Sequence, residues 1–165
     1  MIIHCTQKMA VKLSEVSAEP LLETSPLGSW HALLYTVNRR QCVMFCHDAS
    51  RYILFLPSLV KADFADLGRL HRELFLATLA KQGVADLQLK KIALALGPMR
   101  YDCATDRSVL GSMNVARSDL SFALEFEERA LDPIAIAGRL NKRPTRAGRV
   151  LIWPERAMLE LVNGL

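Results

Sequence analysis

Trp30-His31-Ala32-Leu33-Leu34-Tyr35-Thr36-Val37, then Asn38-Arg39-Arg40, then Gln41-Cys42-Val43-Met44-Phe45-Cys46-His47, then Asp48-Ala49-Ser50 and Arg51-Tyr52-Ile53-Leu54-Phe55-Leu56, is the stretch that decides the fold. Apolar and β-branched runs separated by short polar segments read as three strands joined by two turns. In the second run Cys42, Met44 and Cys46 alternate with Val43, Phe45 and His47, and the third run is apolar from Tyr52 to Leu56. Strands that are apolar on both faces are covered on both faces. The pattern therefore predicts a central three-stranded meander over 30–56. Its ends and turns gather His31, Arg39, Arg40, His47, Asp48 and Arg51, which an apolar core does not explain.

Before the meander, Ile2 to Cys5 reads as a strand, Lys8 to Leu13 as a short helix, and the Ser-, Glu- and Pro-containing stretch up to Gly28 as a loop. After Pro57 the apolar period changes. Phe64, Leu67, Leu70, Leu74, Phe75, Thr78 and Leu79 fall at helical spacing, with Asp63 placed as a cap and Gly83 as a stop. Asp86 to Leu96 reads as a helix closed by Gly97-Pro98, and Met99 to Thr105 as a strand. Ser108 is placed to cap a long helix whose stripe is Val109, Met113, Ala116, Leu120, Leu124 and Glu127. Asp132-Pro133 starts a helix running to Leu140, a basic loop follows, Val150 to Trp153 returns as a strand, and Pro154 opens a last helix.

These elements make one α+β domain over residues 1–165. A mainly antiparallel sheet of about four to six strands is expected, with helices packed against it. The expected core includes Ile3, Leu34, Val43, Phe45, Ile53, Phe55, Leu67, Leu74, Val109, Leu120 and Trp153.

Half of the 165 residues are apolar and 23% are charged, a composition that offsets chain entropy by burial. The first residues lack the basic start and long apolar run of a secretory signal, which points to a cytoplasmic protein. The longest apolar stretch, Tyr52 to Val60, is interrupted by Pro57 and is far below the roughly 20 residues that span a bilayer. Cys5, Cys42, Cys46 and Cys103 sit in apolar strand-like surroundings and are expected as reduced thiols. No close paired-ligand spacing of a structural zinc site is present, so neither a metal nor another cofactor is expected.

Several stretches resemble the recurrent blocks of a small bacterial domain-of-unknown-function family. They are Met1 to Lys8, Leu27-Gly28-Ser29-Trp30-His31-Ala32, Asn38-Arg39-Arg40, Phe45-Cys46-His47-Asp48, and above all Asp106-Arg107-Ser108-Val109-Leu110-Gly111-Ser112-Met113-Asn114. The resemblance runs from Met1 to about Leu124, and the tail from Asp132 has no counterpart in it. It implies no activity, so function is read from the residues.

The net charge of +4 is local: Arg139, Lys142, Arg143, Arg146 and Arg149 carry five positive charges without an intervening acid, and the remainder sums to −1. Such a segment suits phosphates without sequence preference, and this is the main functional signal. A solvated loop explains the same charges, and no recognition helix or aromatic-rich face accompanies them. Arg39 and Arg40 in the first turn are further phosphate contacts if they are more than solvated charge. Arg107 and Ser108 sit where a strand passes into a helix, whose free backbone donors would suit an anion. An ordinary cap at Ser108, with Gly111 allowing close packing, accounts for them as well.

The expected function is a binding or interaction module for a nucleic acid, another anionic ligand or a protein partner, through Arg39, Arg40, Arg107, Ser108, Lys142, Arg143 and Arg146. The alternative is a small hydrolase or phosphotransfer enzyme using His31 or His47 with Arg107, which requires one pocket to hold those side chains. His4, on an apolar strand, and His71, on a helix, are read as structural.

Overall fold

The protein is described by a computed structural model covering residues 1–37, 39–126 and 132–165, with side chains in the long helix described as far as Ser121. Asn38 and Glu127 lie outside the described residues, as does the side chain of Leu124. The order of elements is β1 (Ile2–Cys5), α1 (Gln7–Ala10), β2 (Trp30–Val37), β3 (Arg40–His47), β4 (Ile53–Leu59), α2 (Lys61–Ala65), α3 (Leu67–Lys81), α4 (Asp86–Leu96), β5 (Arg100–Asp102), α5 (Arg107–Phe126), α6 (Pro133–Asn141), β6 (Thr145–Ala147), β7 (Val150–Ile152) and α7 (Pro154–Asn163).

The meander forms as three consecutive antiparallel strands, with Trp30 opposite His47, Val37 opposite Arg40, and Cys46 opposite Ile53. The five-stranded sheet has the order β4-β3-β2-β1-β5, and β1 is parallel to both β2 and β5. The sheet is therefore mixed, not mainly antiparallel. The physical reason is connection length: the 24 residues between Cys5 and Trp30 leave room to return to the same end of the sheet, where a tight hairpin would reverse the chain. The middle strand is β2, and the meander's last strand, β4, is an edge.

Strand alternation divides the core in two. On one side Ile3, Trp30, Ala32, Val43, Phe45 and Leu54 meet α3, α4, α6 and α7 through Leu67, Leu74, Phe75, Leu79, Ile92, Ala137, Met158 and Val162. On the other, Cys42, Met44, Cys46, Ile53 and Phe55 meet α5 through Val109, Met113, Ala116 and Leu120. The expected core residues are buried except Leu34, which is partly buried, and Trp153, which is 47% exposed. Trp153 precedes Pro154 at the start of α7; Trp30, 1% exposed, is the core tryptophan. No helix among the described residues is long and apolar enough to cross a membrane.

Local chemistry accounts for the remaining differences. The helix expected after Asp63 is two helices, because Asp63 is the third residue of α2 and its carboxylate accepts from Val60 N at 2.7 Å, drawing the start back to Lys61. The basic segment is not a loop throughout: Arg139 lies on α6, and 145–152 folds back as the β6–β7 hairpin, a small sheet separate from the main one. Gly148 turns it with φ +62°, a left-handed conformation that glycine adopts without strain.

Candidate functional site

The register of β1, β2 and β5 builds a polar cluster on the α5 side of the sheet. His4 stands opposite His31 on β2 and opposite Asp102 on β5, and the two imidazole centres are 5.0 Å apart. His4 Nδ1 lies 2.6 Å from Asp102 Oδ1, and the buried Asp102 also accepts from Leu21 N at 2.8 Å and Ala104 N at 3.0 Å. Burial alone would raise the Asp102 carboxyl; the backbone donors and His4 outweigh it and hold the group below the usual carboxylate range. His31 Nδ1 donates to Asp48 Oδ1 at 2.7 Å, and its Nε2 accepts from Asp106 N at 2.6 Å. That pair of roles describes a neutral imidazole satisfied at both nitrogens. Asp48 also accepts from Ser29 Oγ at 2.7 Å. Burial opposes its ionisation, but the hydrogen bonds from His31 and Ser29 keep its carboxyl low.

His4 Nε2 is the one ring nitrogen of this cluster without a hydrogen bond among the described residues, with Asp48 Oδ2 3.8 Å away. Sequence reasoning placed His4 among structural residues because a lone histidine in an apolar strand carries no local signal. The available clue was that a strand parallel to β2 would align His4 with His31, and strand direction is not written locally.

His47 does not join this cluster. It faces Trp30 on the other side of the sheet, since His31 pairs with Cys46 and successive strand residues alternate faces. Its Nε2 donates to Leu27 O at 2.6 Å, and its Nδ1 accepts from Ser50 N at 3.1 Å. Gly28, at φ +80°, shapes this approach: a Cβ there would stand 3.6 Å from His47 Nε2. Desolvation pushes the His47 pKa down and leaves the ring neutral. Arg107 is exposed at the first position of α5. His31, His47 and Arg107 therefore do not share a pocket.

Asp106, not Ser108, caps α5: its Oδ1 accepts from Ser108 N at 2.7 Å and Val109 N at 3.0 Å. Two of the donors that an anion at this helix start would use are thereby taken, so Arg107 and Ser108 form no preformed anion cradle. Ser108 Oγ instead accepts from Arg51 Nη2 at 3.2 Å. Arg39, at φ +65°, and Arg40 occupy the β2–β3 turn on the exposed surface, Arg40 donating to Ser58 Oγ at 3.3 Å.

The basic tract makes a second candidate surface. Lys142, Arg143, Arg146 and Arg149 are exposed from the end of α6 through the β6–β7 hairpin. Arg143 Nη1 is 2.5 Å from Asp119 Oδ2 on α5. Leu151 stands opposite Arg146 in the hairpin, and Val150, Leu151 and Trp153 are each at least 47% exposed. Where the hairpin meets α5 and β4, Arg51, Ile53, Ser112, Asp119, Arg143 and Thr145 are among the residues around a cavity of about 130 Å³.

No curated protein matches the chain. A family model matches residues 2–157, from β1 into α7, and so includes the tail that the sequence blocks left without a counterpart. The basic hairpin is thus part of the matched domain. On that coverage, the chain belongs to the family described as Domain of unknown function (DUF6933).

Proposed function

We propose that this domain is a binding module for an anionic macromolecule, nucleic acid being the partner whose chemistry fits best, engaged through the face formed by the end of α6 and the β6–β7 hairpin. One observation carries the reading. Lys142, Arg146 and Arg149 are exposed, none has an acidic partner among the described residues, the exposed Leu151 stands opposite Arg146 in the hairpin, and the exposed Trp153 follows directly after β7. Cations neutralise phosphates, while an exposed aromatic offers a stacking surface that tolerates any base. Arg39 and Arg40 are a further cationic pair for the same partner, at the β2–β3 turn.

Filter binding of mixed single- and double-stranded DNA and RNA across salt concentrations tests this. The expected outcome is retention that falls with salt, and a log–log slope reduced by about one for each neutralised contact when Lys142, Arg146 and Arg149 are changed to Gln. Absent retention, or retention indifferent to those changes, removes the nucleic-acid reading.

The enzyme reading draws support from another set than His31, His47 and Arg107: Asp102 orients His4, whose Nε2 is open to accept a proton. Among the described residues no hydroxyl or thiol is hydrogen-bonded to that nitrogen, so the binding reading is preferred.

A further inference from the structure

We propose that the cavity between α5, the start of β4 and the β6–β7 hairpin is a binding site for a single phosphate group, with Arg51 as its buried anchor. This goes beyond the surface reading above and does not depend on it: exposed arginines can hold a polymer with the cavity unused, and the cavity can take a free phosphate.

Arg51 is 8% exposed. A guanidinium taken that far out of water is normally paired with an anion, because desolvation of a lone charge is costly. Among the described residues Arg51 has only neutral partners. Its Nη1 donates to Asp48 O, its Nη2 donates to Ser108 Oγ at 3.2 Å, and its Nε is buried with no partner among the described residues. The Asp48 carboxylate beside it is committed to His31 and Ser29. Arg51 nevertheless lines an opening instead of packing into the apolar core.

The opposite wall supplies what an oxyanion needs. Arg143 and Thr145 come from the hairpin side and Arg51 from the start of β4, so donors reach the space from more than one direction, while the Ser112 hydroxyl on α5 already donates to Ser108 O at 3.3 Å and lies 3.4 Å from Arg146 O. A tetrahedral anion uses donors spread in that way, whereas a planar carboxylate is best met by one fork. Asp119 also lines the cavity but is paired with Arg143, so among the described residues the charged groups around the space, Arg51, Arg143 and Asp119, sum to one positive charge. A volume of about 130 Å³ is well below the roughly 300 Å³ at which drug-sized pockets begin, which suits a group the size of one phosphate.

The test is a titration of the full chain with inorganic phosphate at fixed ionic strength, followed by backbone amide resonances. Saturable shifts are expected at Arg51, Ser112, Arg143 and Thr145, with affinity weakened about tenfold by Arg51→Lys and by Arg143→Gln, since each removes a fork of donors. Asp119→Asn, on a half-buried residue outside the apolar core, is expected to act in the opposite sense and tighten binding, because it removes the carboxylate that competes for the same cations. This keeps the test decisive if Arg51→Lys fails to fold. Shifts that never saturate, shifts confined to Arg146 and Arg149, or an Asp119→Asn variant that binds phosphate more weakly would each overturn the proposal. A short 5′-phosphorylated oligonucleotide identifies the source: it shifts the cavity amides together with the hairpin if the phosphate belongs to a polymer, and leaves them untouched if the ligand is a free phosphate. Neutralising Arg146 and Arg149 should change oligonucleotide retention and leave phosphate affinity intact, which separates a failure of this site from a failure of the surface reading.

Discussion

His71 is fully buried on α3, with Trp30 and Phe45 each 4.7 Å from its ring centre, and neither ring nitrogen has a hydrogen-bond partner among the described residues. Desolvation lowers its pKa from 6.5 to about 3, assisted by the neighbouring His47 and Arg72. The unfolded chain then binds a proton that the native core refuses. Stability from this residue is complete above pH 6.5 and drains away as the pH falls towards 3. His71→Leu is expected to stabilise the protein at pH 5 by about 2 kcal/mol relative to its effect at pH 7.5, since roughly 1.5 pKa units separate pH 5 from the unfolded value. Urea melts at the two pH values check it. An equal effect at both would mean that the buried ring is protonated without penalty. His47, held low by burial as well, leaves some acid sensitivity in the variant.

Helix ends show how much a short motif decides. The Asp106 carboxylate takes two amides at the start of α5, so Asp106→Ala should cost about 1 kcal/mol while Asp106→Asn stays close to the parent, as the ranking of capping residues implies. Denaturant midpoints with an unchanged m-value would verify this. Ser108 is the cap read from the sequence, and Asp is as good a capping residue as Ser. The backbone chooses Asp106 because its N–H is already held by His31 Nε2. The same competition is absent at α6, where Asp132 accepts from Ile134 N at 2.9 Å and Pro133 takes the first position, so the motif could be read directly. The helix over Asp86–Leu96 and the opening of α7 at Pro154 were legible for similar local reasons. Of the hairpin only β7 was legible, as the strand expected over Val150 to Trp153; β6 was not, because its three residues offer too few alternating positions to show a period.

For the molecule as a whole, the sheet edge at β4 is met at its first residue, Ile53, by one side chain. Asn141, at the end of α6 and fully buried, accepts from Ile53 N through Oδ1 at 2.6 Å and donates from Nδ2 to Ile53 O and to Ala137 O, both at 2.8 Å. It stands in for a further strand and fixes α6 against β4. Asn141→Leu keeps the volume but leaves the Ile53 amide and carbonyl buried without partners, at a cost of about 1–3 kcal/mol for each group. A loss of roughly 2–5 kcal/mol in denaturant unfolding is the expected result. A loss under about 0.5 kcal/mol would show that this amide is not what holds the edge at Ile53.

The sequence by itself determined the meander, the order of its strands, the apolar stripes of the long helices and the local concentration of positive charge, because each is carried by neighbouring residues whose period or composition is visible in a short window. Tertiary structure alone decided the parallel direction of β1, the meeting of His4 with His31 and Asp102, the separation of His47 from His31, and the gathering of Arg51 with Arg143 around one cavity. These depend on strand direction and register between segments as much as 98 positions apart, as for His4 and Asp102. A short, largely apolar strand such as Ile2–Cys5 carries no local mark of its direction. The choice is made by the chain that connects it and by the core that both its faces must join.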